Sequence, residues 1–85
     1  MRIELFGIAR ARAGREAVDV EAASLGAAIR ALAEACPGLV PEVVGDGGLA
    51  EGFVANLNGE AFVADAATPL TGGDTLLILG AQAGG

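Results

Sequence analysis

Polar and apolar residues alternate from the start of the chain. Arg2-Ile3-Glu4-Leu5-Phe6 puts Ile3 and Leu5 on one face and predicts a strand. Ala17-Val18-Asp19-Val20-Glu21 alternates in the same way and is expected to pair with it as a hairpin. Residues 9–14, rich in small side chains and arginine, read as the connection, with a turn at Gly14. The period changes at Ser24, an N-cap residue. Leu25, Ala28, Ile29, Leu32 and Cys36 then recur at helical spacing until Pro37-Gly38 stops the helix. Pro41 and Gly45-Asp46-Gly47-Gly48 mark turns in a loop region. Phe53-Val54-Ala55-Asn56-Leu57 is the third strand, Asn58-Gly59 a hairpin turn, and Ala61-Phe62-Val63 the short return. Thr68-Pro69-Leu70 and Gly72-Gly73-Asp74 carry turn chemistry, and residues 75–79 form the last strand.

One amphipathic helix therefore serves one mixed sheet of about five strands. Neither element can bury its apolar side alone, so the helix must cover one sheet face. The first and last strands are the most apolar, which places them side by side at the centre, running parallel. This predicts an α+β domain of the β-grasp, ubiquitin-like arrangement over residues 1–79. A flexible tail, residues 80–85, ends in Gly-Gly.

Composition narrows the chemistry. With 85 residues there is room for a single small core. One cysteine and no histidine exclude an internal disulfide framework, a four-thiolate metal site and any His-based acid/base pair. The longest strongly apolar run, Leu76-Leu77-Ile78-Leu79, is far too short to span a membrane. Glu4 and the arginines after it argue against a signal peptide, so a cytoplasmic location is expected.

All five basic residues are arginines within residues 1–30, whereas residues 31–85 carry seven acids and no base. A nucleic-acid binder needs the opposite sign. The acidic half suits docking on a basic partner protein, or it keeps a hydrophobic domain soluble.

The last strand is more apolar than one covered face requires. If Leu76 and Ile78 face the helix, Leu77 and Leu79 point onto the open face. Two readings follow: a partner interface, or a strand covered by the loop of residues 37–52. Beyond it, Gly80-Ala81-Gln82-Ala83-Gly84-Gly85 offers nothing to a core. Two glycines without Cβ atoms can thread a narrow channel and leave a terminal carboxyl carbon unhindered. Cys36 lies on the apolar helix stripe, which fits a core residue better than a relay thiol.

Five short motifs stand in a familiar order: Leu5-Phe6-Gly7-Ile8-Ala9-Arg10 through Gly14; Pro37-Gly38-Leu39; Leu57-Asn58-Gly59-Glu60; Thr68-Pro69-Leu70 followed by Gly73-Asp74; and Gly84-Gly85. Together they resemble the bacterial and archaeal sulfur-carrier family of MoaD/ThiS type, which includes the molybdopterin synthase small subunit and the thiamine sulfur carrier. Where many molybdopterin synthase small subunits carry Pro-Pro after the last strand, this chain has Gly80-Ala81.

The resemblance implies a protein sulfur carrier with no catalytic residue, bound metal or bound cofactor of its own. An E1-like adenylyltransferase would use ATP to adenylate Gly85. A sulfurtransferase or other persulfide donor would displace AMP and leave a thiocarboxylate. The tail, with Ala83 and Gly84, would enter a channel in an acceptor enzyme such as a molybdopterin synthase large subunit; the apolar pattern of the last strand separately marks Leu77 and Leu79 as the expected partner interface. Molybdopterin biosynthesis is the expected destination, with thiamine, cysteine or tRNA thiolation as alternatives. Two other classes stay open: a ubiquitin-like modifier acylating lysines, and a plain interaction module with incidental glycines. Gly45-Asp46-Gly47-Gly48 lacks the lysine of a phosphate loop, so ATP is expected on the partner. No partnership with nucleic acid or membrane is expected.

Overall fold

The computed structural model describes residues 1–81. Strand β1 (Arg2–Leu5) pairs antiparallel with β2 (Ala17–Asp19) and parallel with the last strand, β7 (Thr75–Gly80). On its other side β7 pairs antiparallel with β5 (Phe53–Leu57), which pairs with β6 (Ala61–Val63). The five-stranded order is β2-β1-β7-β5-β6, so the two ends of the described chain lie side by side at its centre. This is the β-grasp arrangement expected from the sequence.

The long helix α2 (Leu25–Ala35) begins as predicted: the Ser24 hydroxyl accepts from the Ala27 N–H at 3.3 Å. Its buried stripe, Leu25, Ala28, Ile29 and Leu32, packs with Ile3, Leu5, Leu76 and Ile78 from the sheet. Each fully buried Leu or Ile contributes about 1.5–3 kcal/mol relative to exposure, so this seam is a main source of stability. Cys36, 2% exposed, caps α2 and completes the stripe.

Two local readings need correction. Residues 9–14 are not a simple connection: a helix, α1 (Gly7–Ala13), capped by Gly14, is inserted between β1 and β2. It lacks a capping side chain at Phe6, and only Ala9 is buried, so its sequence gives little periodic signal. Three contacts hold it. Gly14 closes its end in the left-handed conformation, φ 72°, with its N–H on the Arg10 carbonyl. The Arg10 Nε donates to the Leu5 carbonyl at 2.9 Å. At Gly38 a Cβ would run into the Arg12 carbonyl, so the short 3-10 turn Pro37–Leu39 can pack on α1 only through a glycine.

The second correction concerns residues 37–52. Leu39, Val43 and Val44 enter the core, and a small ribbon forms from β3 (Val44–Gly45) and β4 (Gly48–Leu49). The ribbon packs beside α2, not over the outer sheet face, so it does not cover Leu77 and Leu79.

Candidate docking face and chain end

Burial along β7 alternates. Leu76 and Ile78 are 0% exposed, while Leu77 and Leu79 between and after them are half-buried. The pairing register carries this alternation across the sheet. Ala17, Glu4, Leu77, Asn56 and Phe62 are successive partners on β2, β1, β7, β5 and β6, and so form one row on the face away from α2. In the adjacent row Leu79 stands opposite Val54. Phe6 extends that row, since its N–H donates to the Ile78 carbonyl at 3.1 Å. Phe62 is 68% exposed and Phe6 36%. The open face thus carries a connected apolar stripe running towards the end of β7.

The stripe contains one polar group that the sequence did not single out. Asn56 sits between Leu77 and Phe62, and its Oδ1 is buried without a hydrogen-bond partner. A buried acceptor left unpaired costs about 1–3 kcal/mol.

Charge frames the stripe on the β1 side. Arg2 and Glu4 pair at 2.9 Å, and the Arg10 guanidinium lies 5.5 Å from the centre of the Phe6 ring, a cation–π distance. Arg10 also approaches Glu16 at 3.7 Å. Its bonds tie α1 to the end of β1.

The entry to β7 is fixed by a polar knot. Asp74 accepts from the Asn58 side chain at 3.0 Å and from the Thr71 N–H at 2.8 Å. Asn58 returns through its Oδ1 to the Thr75 N–H at 2.8 Å. The Asn58 bond, then the Thr71 bond, holds the Asp74 carboxyl below the usual carboxylate range. Asn58, φ 59°, and Gly59, φ 73°, both adopt the left-handed backbone of a tight hairpin turn.

At its far end β7 continues through Gly80, and the Ala81 N–H donates to the Gly52 carbonyl at 2.7 Å. The chain leaves the sheet at the edge of the apolar stripe. The predicted sites Ala83, Gly84 and Gly85 lie outside the described residues. Among the described residues no cluster of three or more His, Cys, Asp or Glu could hold a metal ion. No helix among them is long and apolar enough to cross a membrane.

Comparison with known proteins decides the family: a sequence model of the ThiS family matches residues 3–85. The chain belongs to the ThiS family. Among solved structures, this ThiS-family chain is similar to small archaeal modifier protein 1 of Haloferax volcanii. Identity is 34% over 99% of this chain and 97% of that one, with a TM-score of 0.78. The same modifier protein from Methanosarcina acetivorans shares the fold at 20% identity, covering 99% of this chain and 94% of that one, TM-score 0.82. So does a chain of the Amycolatopsis orientalis BexX/CysO complex, at 24% identity over 99% and 98%, TM-score 0.80. No curated protein matches the sequence. Small ubiquitin-like carriers of the ThiS family are generally non-catalytic.

Proposed function

We propose that this protein is a sulfur carrier charged at Gly85. ThiS-family membership over residues 3–85 carries the reading. The position of β7 supports it, because the described chain leaves the sheet at Ala81 beside a half-exposed apolar stripe. In the proposed cycle the Gly85 carboxylate attacks the α-phosphorus of ATP inside an E1-like adenylyltransferase, releasing pyrophosphate. The terminal sulfur of a donor persulfide then displaces AMP, giving an acyl disulfide. A thiol cleaves its S–S bond and leaves the thiocarboxylate. Leu77 and Leu79 anchor the docking that brings Ala83, Gly84 and Gly85 into the partner channel. All chemistry is the partner's, in the cytoplasm. The acceptor we assign is a molybdopterin synthase large subunit; thiamine, cysteine or tRNA thiolation would use the same charged carrier.

The likeness to a small archaeal modifier protein at 34% identity favours a second use of the same activated Gly85, acylation of lysines on other proteins. One experiment addresses both. The purified chain is incubated with ATP, the adenylyltransferase and a persulfide donor, and its intact mass is measured. Exchange of one oxygen for sulfur is expected. An unchanged mass in the presence of active enzymes would sink the carrier reading, and isopeptide adducts on added proteins would establish the modifier reading. Reconstitution with each acceptor enzyme in turn separates the pathways.

A further inference from the structure

A sheet of five strands has two outer edges, and here they are β2 and β6. The alternation of hydrogen bonds shows which main-chain groups of β6 look outward. The Asn58 N–H donates to the Thr75 carbonyl, so Asn56, two residues earlier and paired with Leu77, also turns its N–H and C=O to β7. Ala55 and Leu57 then turn theirs to Val63 and Ala61, their partners on β6. Phe62, opposite Asn56, is left with its N–H and C=O pointing away from β5. Among the described residues no turn or loop main-chain bond reaches them, and no strand lies on the outer side of β6. The Phe62 ring, 68% exposed, stands in the row of Asn56 and Leu77 on the open face. An outer strand with a free donor and acceptor can take a further strand: main-chain bonds give affinity, and alternate side chains choose the partner.

Charge selects the occupant. Glu60 directly precedes β6 and Asp65 follows it by two residues. Both are exposed, and neither belongs to the ion pairs among the described residues, which are Arg2–Glu4, Arg10–Glu16 and Arg12–Glu42. No basic residue lies beyond Arg30. Arg2, on β1, is three strand spacings from β6, about 14 Å, and is already paired with Glu4. Physiological salt screens a charge at that distance. A second copy of this chain does not fit. Two β6 edges set antiparallel about Phe62 would bring the Glu60 of each towards the Asp65 of the other. The β2 edge of another copy carries Glu16, Asp19 and Glu21 against Arg15 alone, so it too would be repelled.

We infer that the outer edge of β6 receives an extended segment of a partner protein, bearing lysine or arginine, which adds to the sheet as a sixth strand through the Phe62 N–H and C=O. The inference does not rest on the sulfur-carrier reading. An added strand lengthens the row of Leu77, Asn56 and Phe62 by one position, so its side chain opposite Phe62 widens the open apolar face. It also fixes how the partner lies relative to β7, two strands further in.

The test is amide hydrogen exchange of the 15N-labelled full chain, alone and with a synthetic peptide of alternating valine and threonine bearing lysine pairs at both ends. A peptide with glutamate pairs is the control. In the free chain the Phe62 amide is expected to exchange freely while those of Ala55 and Val63 are protected. Lysine peptide at about ten times its Kd should slow Phe62 exchange about tenfold, and the glutamate peptide should not. Phe62→Pro removes the outward N–H without costing a ladder bond, so it should abolish binding, followed by the Val63 shift, with the spectrum still folded. Phe62→Thr keeps the N–H and should keep binding, which carries the test even if the proline variant unfolds. Glu60→Lys should weaken binding about tenfold. Leu79→Asp, two strands away, should leave it unchanged. A Phe62 amide already protected in the free chain would overturn the inference. So would no slowing at about 5 mM lysine peptide, an equal response to the glutamate peptide, or binding retained by Phe62→Pro. Loss of binding in Leu79→Asp would move the site to the open face, and concentration-dependent dimerisation that protects Phe62 would name a second copy; either overturns the inference.

Discussion

Asn58 donates from Nδ2 to Asp74 Oδ1 at 3.0 Å, across sixteen positions of sequence, and thereby locks the β5–β6 turn to the start of β7. The bond is stronger to the ionised carboxylate, and with the Thr71 N–H it lowers the Asp74 pKa in the folded state. A depressed carboxylate pKa stabilises the fold above the unfolded-state value, and that stability is lost as pH falls through the folded value. Thermal midpoints should therefore drop on acidification below the ordinary aspartate range. Asp74→Asn should flatten that dependence, as followed by circular dichroism from neutral to acidic pH.

Leu79→Asp should separate folding from docking. Leu79 is half-buried on the open face, so the variant is expected to keep its far-ultraviolet spectrum and lose about 2 kcal/mol or more of affinity for the activating enzyme. Ile78→Ala, at a fully buried neighbour, should instead cost about 2–5 kcal/mol of stability. Global unfolding of Leu79→Asp would show the face assignment to be inverted.

Asn56→Leu should stabilise the fold. Removing the unpartnered Oδ1 is expected to raise stability by about 1 kcal/mol in urea unfolding. The open face should keep its affinity for the partner, because the buried Oδ1 is out of a partner's reach; binding measured beside stability checks both. A destabilised variant would mean that Asn56 holds the sheet itself.

Deleting Gly85 should leave stability within about 0.5 kcal/mol of the parent, as for changes remote from packed features. The residue lies five positions past Gly80, where β7 ends. Thiocarboxylate formation should be lost, because a terminus shortened by about 3.3 Å no longer reaches the attack geometry. Intact-mass measurement after charging distinguishes loss from retention.

Much of this architecture was legible in the sequence, for identifiable reasons. Ile3 and Leu5 on one strand, and Leu25, Ala28, Ile29 and Leu32 on one helix, announce period and burial together. The excess apolarity of Leu77 and Leu79 marked the open face. Helix α1 was hidden because seven residues with a single buried alanine carry no readable period, and what holds it is contact with Leu5 and Gly38. The β3–β4 ribbon was hidden because two-residue strands rich in glycine have no alternation. The stranded Asn56 acceptor depends on how neighbouring strands surround it, which no local pattern encodes.

Gly38 offers a check on that last kind of constraint. Gly38→Ala forces a Cβ against the Arg12 carbonyl and should destabilise by about 1–3 kcal/mol, read by thermal unfolding. A neutral result would show that α1 shifts freely against the 3-10 turn.

The parallel pairing of β1 with β7, residues 2–5 against 75–78, also sets the order of events during synthesis. The centre of the sheet cannot close until its last strand has left the ribosome, because β1 has only the short β2 beside it before then. Contacts of such long separation form late and slowly. A chain truncated before Thr75 should be cut readily by protease, and the full chain should resist. Translation itself thus acts as a timer, and the strand that completes the fold is the one that leads directly to the chain end.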